Sequence, residues 1–184
     1  MGQPTRRQSG FVLIASILLL LVLSILGVSM FRGAGLQEKV AGSVKEKARA
    51  LQMAQVALHH AESLIDQSVT SPLPQSSNCA AALTVATVCT NAVSIKNAPL
   101  AALTNGYTDT SAPGLNASDI SSSGGKGTYY AYPQFYIQYL GLSSNGQGQV
   151  YEITALGFGG NANAVSIIKS TFELSSGVVD LGAL

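Results

Sequence analysis

The apolar residues of the chain form three patterns, and the first is an unbroken run near the N-terminus. Residues 11–31 carry no charged side chain and consist mostly of Leu, Ile and Val. At about 1.5 Å of rise per residue, a helix of this length covers roughly 30 Å, the hydrocarbon thickness of a bilayer. This run therefore predicts a membrane-spanning helix.

A second pattern follows, in which apolar residues recur every three or four positions with charged residues between them. Its large apolar members are Leu36, Val40, Val44, Leu51, Leu58 and Ile65. This spacing is typical of a helix with one packed face and one solvated face. Pro72 and Pro74 each remove a backbone donor and disfavour helix in the preceding residue. We therefore predict one long helix from about Phe11 to Gln67.

The third pattern consists of three short runs rich in β-branched and aromatic residues. They cover residues 135–140, 150–158 and 164–174, and the first connection contains an Asn145-Gly146 turn signal. Short connections between such runs favour an antiparallel meander. The apolar face of the sheet and the apolar face of the amphipathic helix must both be buried, and packing them together achieves this. We predict an α+β fold in which the long N-terminal helix packs against a small antiparallel sheet of about three to four strands.

These patterns divide the chain into five segments. They are a polar N-terminal segment at residues 1–10, an apolar half-helix at 11–32, an amphipathic half-helix at 33–67, a Ser/Thr/Gly-rich connecting region at 68–128, and a sheet headpiece at 129–184. One globular domain outside the membrane is the expected size for the remaining chain.

Charge and cysteine content constrain the partners and the compartment. Of the 184 residues only 10% are charged and the net charge is +1, which does not fit a nucleic-acid-binding protein. Arg6 and Arg7 precede the apolar run and Arg32 follows it, so the positive-inside rule places the N-terminus in the cytoplasm. In the oxidising compartment beyond, Cys79 and Cys89 can form a disulfide, and without nearby ligands they make a poor metal site.

The N-terminal run has three interpretations. A cleaved secretory signal requires a shorter apolar core followed by a small-residue cleavage site. A plain single-pass anchor requires only the apolar length. The third interpretation depends on Gly10 and Phe11, where the polar segment ends and the apolar run begins.

A short basic leader that ends in Gly10, directly before Phe11 and a long apolar helix, resembles the class III signal of type IV pilins and type II secretion pseudopilins. The resemblance implies that a prepilin peptidase cleaves after Gly10 and methylates Phe11, leaving the apolar helix on the mature chain. The fifth mature position, usually Glu in that family, is Ala15 here. Minor pilins of the PilX group are similar in lacking this acid, and residues 153–174 resemble theirs as well.

This resemblance implies a non-enzymatic minor pilin without a cofactor. Such a subunit promotes initiation or assembly of a type IV pilus, or forms its tip, and serves motility, adhesion or DNA uptake. The implied partners are other major and minor pilins through the N-terminal helix, the prepilin peptidase, the inner-membrane assembly platform and a tip adhesin. The implied location is the inner membrane before assembly and the extracellular filament, near its tip, afterwards. A minor pseudopilin of type II secretion and a membrane-anchored periplasmic binding or sensor domain remain alternatives.

Other motifs have simpler interpretations. Residues 157–162 match the G-x-G-x-x-A spacing of a dinucleotide site, but that site requires a helix after the glycines and a β-branched run follows here. We interpret the glycines as a hairpin turn. His59 and His60 are adjacent, so they point about 100° apart on a helix and cannot form an i, i+4 metal pair. We expect one at the helix–sheet boundary and the other in solvent.

The remaining polar and aromatic residues point to no catalytic constellation. A calcium site around Asp180 remains an alternative that the sequence does not decide. The tyrosines between residues 129 and 139 are predicted to form sheet core and edge, with an exposed contact patch as the alternative.

Overall fold

The structure, a computed structural model, describes residues 9–97, 100–124, 127–144, 146 and 148–175, without the side chains of residues 9 and 30–35. Helix α1 spans Ser9–Gln67. Contacts within the chain divide it into two units, Met1–Ser43 and Val44–Leu184.

In the first unit, the segment Gly10–Ser29 is long and apolar enough to cross a membrane. Its large apolar side chains from Phe11 to Val28 are exposed. An apolar surface of this extent marks a membrane or protein contact. The hydroxyls of Ser16 and Ser24 donate to the carbonyls of Leu13 and Leu20, each at 2.9 Å. The helix backbone therefore provides acceptors for polar atoms that lipid could not solvate.

The second unit contains the rest of α1 and eight strands among the described residues. The short strands are β1 (Gln75–Ser76), β2 (Val88–Cys89), β3 (Ile95–Lys96), β4 (Ala102–Leu103) and β5 (Tyr107–Thr108). The long strands are β6 (Gln134–Leu142), β7 (Gly148–Phe158) and β8 (Val165–Ser175). A 3-10 helix, Ala117–Asp119, lies between β5 and β6.

The long strands form the predicted antiparallel meander, with β6 paired to β7 and β7 to β8. The α+β fold class is confirmed. Within the described residues the sheet has six strands in the order β1-β2-β6-β7-β8, with β5 also on β6, and β3 pairs with β4 separately. The sheet is mixed, because β1–β2 and β2–β6 are parallel. The additional strands have two residues each, too few to show a hydrophobic period.

Both faces of the sheet are covered. Toward α1, the core consists of Ala57, Ala61, Ile65, Val88, Phe135, Ile137, Tyr151, Ile153 and Ala155. On the opposite face, the connecting region buries Cys79, Cys89, Leu103, Tyr136, Leu156 and Phe158. Burial on both faces explains why β6 and β7 contain nearly continuous apolar runs.

The packed face of α1 matches the predicted apolar stripe only in part: Ile65 is buried and Leu58 packs against the core, as predicted. Its buried seam is formed by Ala50, Met53, Ala54, Ala57, Ala61 and Ile65, whereas Leu36, Val40, Val44 and Leu51 are exposed. The prediction that these four large residues belong to the packed stripe is therefore wrong for this chain. Small side chains line the seam because the sheet backbone approaches the helix closely there.

Candidate functional site

The residues predicted for N-terminal processing lie at the start of α1. Gly10 and Phe11 directly follow Ser9, where the described helix begins, and both are exposed. Ala15 is also exposed and lies four residues after Phe11, so the two share one helix face. The rest of the predicted leader, residues 1–8, lies outside the described residues.

In the second unit, charged side chains of α1 form hydrogen bonds with the backbone of the β7–β8 hairpin. Glu46 accepts a hydrogen bond from the Gly160 amide and lies 3.1 Å from Arg49 Nη1. The Gly160 amide, and then Arg49, lower the pKa of Glu46 despite partial desolvation. Lys47 Nζ donates to the Val165 carbonyl at the start of β8. Both ends of the hairpin connection are thereby bonded to the helix.

Arg49 also connects the helix to the segment before β6. Its Nη2 donates to the carbonyls of Gly127 at 2.9 Å and Thr128 at 2.7 Å. Its guanidinium carbon lies 4.6 Å from the ring centre of Tyr129, a cation–π distance. Sequence reasoning missed these contacts because the partners are far apart in the chain and no short motif marks them.

The glycines of residues 157–160 are explained by close packing of the hairpin on α1. A Cβ atom on Gly157 would lie 2.4 Å from the Ala50 carbonyl oxygen, and one on Gly159 would lie 2.5 Å from the Glu46 carbonyl oxygen. Strand β8 follows these residues, pairing Val165 with Phe158 of β7. The prediction of a hairpin turn at this motif is confirmed.

The two adjacent histidines occupy different environments, as predicted. The His59 side chain is 75% exposed, and its Nδ1 lies 3.0 Å from Glu62 Oε2. The His60 side chain is 15% exposed, and its Nδ1 lies 2.6 Å from Oδ2 of the fully buried Asp109. Asp109 Oδ1 accepts bonds from the backbone amide and the hydroxyl of Ser111, each at 3.2 Å. Asp109 thereby anchors the loop after β5 to the helix.

The predicted cysteine pair forms a disulfide in the connecting region. Cys79 and Cys89 are bonded with their Cα atoms 6.0 Å apart, and both are buried on the sheet face opposite α1. Asn91 Oδ1 accepts from the Cys79 amide at 2.7 Å, and Asn105 Nδ2 donates to the Cys79 carbonyl at 2.9 Å. The asparagines carry no sequence signal that separates them from ordinary turn residues.

The tyrosines mostly belong to the sheet and its margins. Tyr136 is fully buried and donates to the Asn91 carbonyl at 2.8 Å, and burial raises its pKa. The other predicted tyrosines, Tyr129, Tyr130, Tyr132 and Tyr139, are half-buried. The prediction is confirmed for Tyr136 and Tyr139, which lie in β6, whereas Tyr129, Tyr130 and Tyr132 precede that strand. Asp180, the candidate calcium ligand, lies outside the described residues.

An exposed apolar N-terminal helix together with a disulfide-containing α+β headpiece defines a pilin-like subunit. Two family models match the chain: "PilX N-terminal" over residues 9–59 and "Type IV pilus assembly protein PilX C-term" over residues 74–174. The chain therefore belongs to the PilX family and is a minor pilin of type IV pilus assembly, a structural subunit of the pilus. Comparisons with the curated proteins and with the solved structures find no match.

Proposed function

We propose that this minor pilin acts near the tip of the pilus and promotes its initiation. The observation that carries the proposal is the exposed apolar helix with Ala15 at the fifth position after Gly10. In the main subunits of the family, an acid at this position is thought to neutralise the N-terminal amine of a neighbour. A subunit without it lacks one docking contact inside the shaft, which favours an end position.

The proposal includes maturation by a prepilin peptidase. Cleavage follows Gly10 and Phe11 becomes the methylated N-terminus, so that residues 1–10 are a leader and residues 11–32 form the filament-core helix. Residues 33–67, 68–128 and 129–184 then form the amphipathic half-helix, the connecting region and the headpiece. Before assembly the chain crosses the inner membrane once with its N-terminus in the cytoplasm, as the positions of Arg6, Arg7 and Arg32 favour.

The proposed partners follow from the two parts of the mature chain. The apolar helix packs against other major and minor pilins and passes through the inner-membrane assembly platform. The headpiece, which we regard as non-enzymatic, makes lateral contacts and binds a tip adhesin. In support, the buried polar side chains of Asp109 and Asn105 in the connecting region are hydrogen-bonded to His60 and to the Cys79 carbonyl.

N-terminal sequencing of the chain from the membrane fraction tests maturation. We expect a mature chain that begins with methylated Phe11, whereas an intact Met1 contradicts the proposal. Gly10→Val should leave the leader attached, because a branched side chain replaces glycine at the cleavage position. Ser9→Ala, one residue earlier, is the matched control and should be processed normally.

Deletion of the gene then tests the role at the tip. We expect fewer surface filaments, with restoration by the wild-type chain. Normal filament number together with loss of exported enzymes would contradict this role and support a pseudopilin.

A further inference from the structure

The sheet face opposite α1 carries a groove of about 520 Å³. Phe158 at the end of β7 and Leu100, which packs against the core on this face, contribute apolar surface to it. Residues 120–123, which follow the 3-10 helix, and residues 130–132, which precede β6, line it as well. A groove of this volume is large enough for a small ligand.

Hydrogen bonds fix the segments that line the groove. The Ser121 amide donates to the Tyr129 carbonyl at 2.8 Å, which joins the segment after the 3-10 helix to the segment before β6. Gln134 Oε1 accepts from the Leu103 amide at 2.9 Å, which joins β6 to β4. The fold itself therefore forms the groove, and a ligand would not have to bear the cost of ordering it.

The polar groups of the groove are neutral and available. The described residues that line it include no Asp, Glu, Lys, Arg or His. Four hydroxyls in the groove form no hydrogen bond with another described residue: those of Ser122, Ser123, Tyr130 and Tyr132. Solvent reaches them, because no polar side-chain atom of the described residues is buried without a hydrogen-bond partner. Each of these hydroxyls can both donate to and accept from a ligand.

The two tyrosines add aromatic surface to these hydroxyls. Both are half-buried, and the Tyr130 ring packs against the Phe158 ring with the centroids 5.8 Å apart. The Tyr132 ring forms no aromatic pair with another described residue. A tyrosine combines an apolar ring with a polar tip, so Tyr132 can offer both to a ligand.

These features favour a saccharide over other classes of ligand. A pyranose ring combines an apolar face of C–H groups with several neutral hydroxyls, so one molecule can cover an aromatic ring and bond to the hydroxyls beside it. A purely apolar ligand, such as an acyl chain, would desolvate the four hydroxyls without replacing their hydrogen bonds. A charged ligand would find no opposite charge among the described residues of the groove.

We propose that this groove binds neutral saccharides. The Tyr132 ring stacks on the apolar face of the sugar, and the hydroxyls of Ser122 and Ser123 bond to the sugar hydroxyls. The headpiece itself then attaches to glycans, independently of a tip adhesin and of the position of the subunit in the filament.

Binding of the full chain to a surface-bound panel of saccharides tests this proposal. The chain is solubilised in a detergent without a sugar headgroup, because a maltoside would compete for the groove. The panel contains glucose, galactose, mannose, N-acetylglucosamine and N-acetylgalactosamine, together with sialylated and sulfated saccharides. Dense display on the surface raises the avidity of a weak site.

We expect binding to at least one neutral saccharide, and release by the same saccharide in free form. Binding to none of the neutral members would overturn the proposal, as would binding to the charged members alone. Binding that the free saccharide does not reverse would also overturn it and indicate an apolar or protein contact instead.

Variants of Tyr132 then assign the binding to this groove. Tyr132→Ala removes the ring and its hydroxyl and should raise the half-saturating concentration at least about tenfold. Tyr132→Phe keeps the ring, and with it the packing of the fold, and should raise that concentration about two- to tenfold through the loss of one hydrogen bond. The matched control is Tyr139→Ala, which truncates a half-buried tyrosine packed on the face toward α1 and should bind as the wild type does.

Wild-type affinity in both Tyr132 variants would refute the proposal. If Tyr132→Ala fails to fold, Tyr132→Phe alone decides, and wild-type affinity in that variant counts against the groove. An equal loss in Tyr139→Ala would likewise contradict the assignment, because the effect would then follow from general destabilisation of the headpiece.

Discussion

The backbone of Gly157 in β7 lies directly against the backbone of Ala54 in α1. A Cβ atom on Gly157 would come within 2.3 Å of the Ala54 nitrogen, closer than real Cβ contacts. The helix contributes a seam of small residues and the strand contributes glycine, so the two backbones approach without intervening side chains. Large side chains such as those of Val44 and Leu51 could not fit between the two backbones at this point, and both are exposed.

Gly157→Ala should therefore destabilise the headpiece. The atoms that a methyl group would meet belong to the helix backbone and cannot move without shifting the helix. Overpacking of this kind costs about 1–3 kcal/mol or more. Thermal unfolding followed by circular dichroism should show the loss. Gly42→Ala is the control, since open space surrounds Gly42 and alanine favours helix by about 1 kcal/mol. Equal melting temperatures for Gly157→Ala and the wild type would contradict the close packing.

His60→Ala should destabilise the chain far more than His59→Ala. The first change removes the partner of the buried Asp109 carboxylate, a bond worth about 1.5–3 kcal/mol when a charged group takes part. The second alters a side chain that is 75% exposed and should change stability by less than about 0.5 kcal/mol. Chemical denaturation of the two variants measures the difference. Similar midpoints would show that the His60–Asp109 bond contributes little.

Acid should weaken the contact between α1 and the β7–β8 hairpin. The Gly160 amide and Arg49 hold the pKa of Glu46 below its ordinary value of 4.5 in the folded chain. Protons therefore bind more tightly to the unfolded chain, and the stabilisation present above pH 4.5 is lost as pH falls through the depressed folded pKa. Melting temperatures of the wild type and Glu46→Gln should converge in acid. Glu38→Gln, which alters an exposed acid of the same helix, is the control, and a gap independent of pH would contradict the assignment.

Loss of the Cys79–Cys89 disulfide should destabilise the headpiece by about 2–3 kcal/mol, because a closed loop of this length restricts the unfolded chain. The ten-residue separation sets this estimate. Unfolding is measured with and without reductant for the wild type and for the double variant Cys79→Ala, Cys89→Ala. Reductant should lower the midpoint of the wild type alone. An equal effect on the double variant would assign the loss to another cause.

The sequence pattern predicts the long secondary-structure elements but misses the contacts between elements. The apolar run at residues 11–31 indicates a helix by its length, and the three runs near the C-terminus indicate strands by their β-branched and aromatic residues, because each of these patterns extends over many residues. The parallel pairing of β2 with β6 involves only Val88 and Cys89 on β2, so no period marks it. The contacts of Arg49 with Gly127 and Thr128 depend on tertiary packing, which residue spacing does not encode.

Ala15→Glu should remain in the membrane but change where the subunit enters the pilus. The added acid costs about 2.5–3.5 kcal/mol at membrane depth, which a helix as apolar as Gly10–Ser29 can tolerate. It restores the carboxylate that main subunits of the family carry at this position, so we expect more copies of the variant along the shaft. Immunogold labelling of filaments measures copy number and position.

Ile14→Glu is the matched control for this change. It introduces the same acid one residue earlier, about 100° around the helix. It should share the insertion cost without restoring the fifth-position contact, and its distribution along the filament should match that of the wild type. If Ala15→Glu is also incorporated at the wild-type frequency and position, the missing acid does not direct this subunit to the tip.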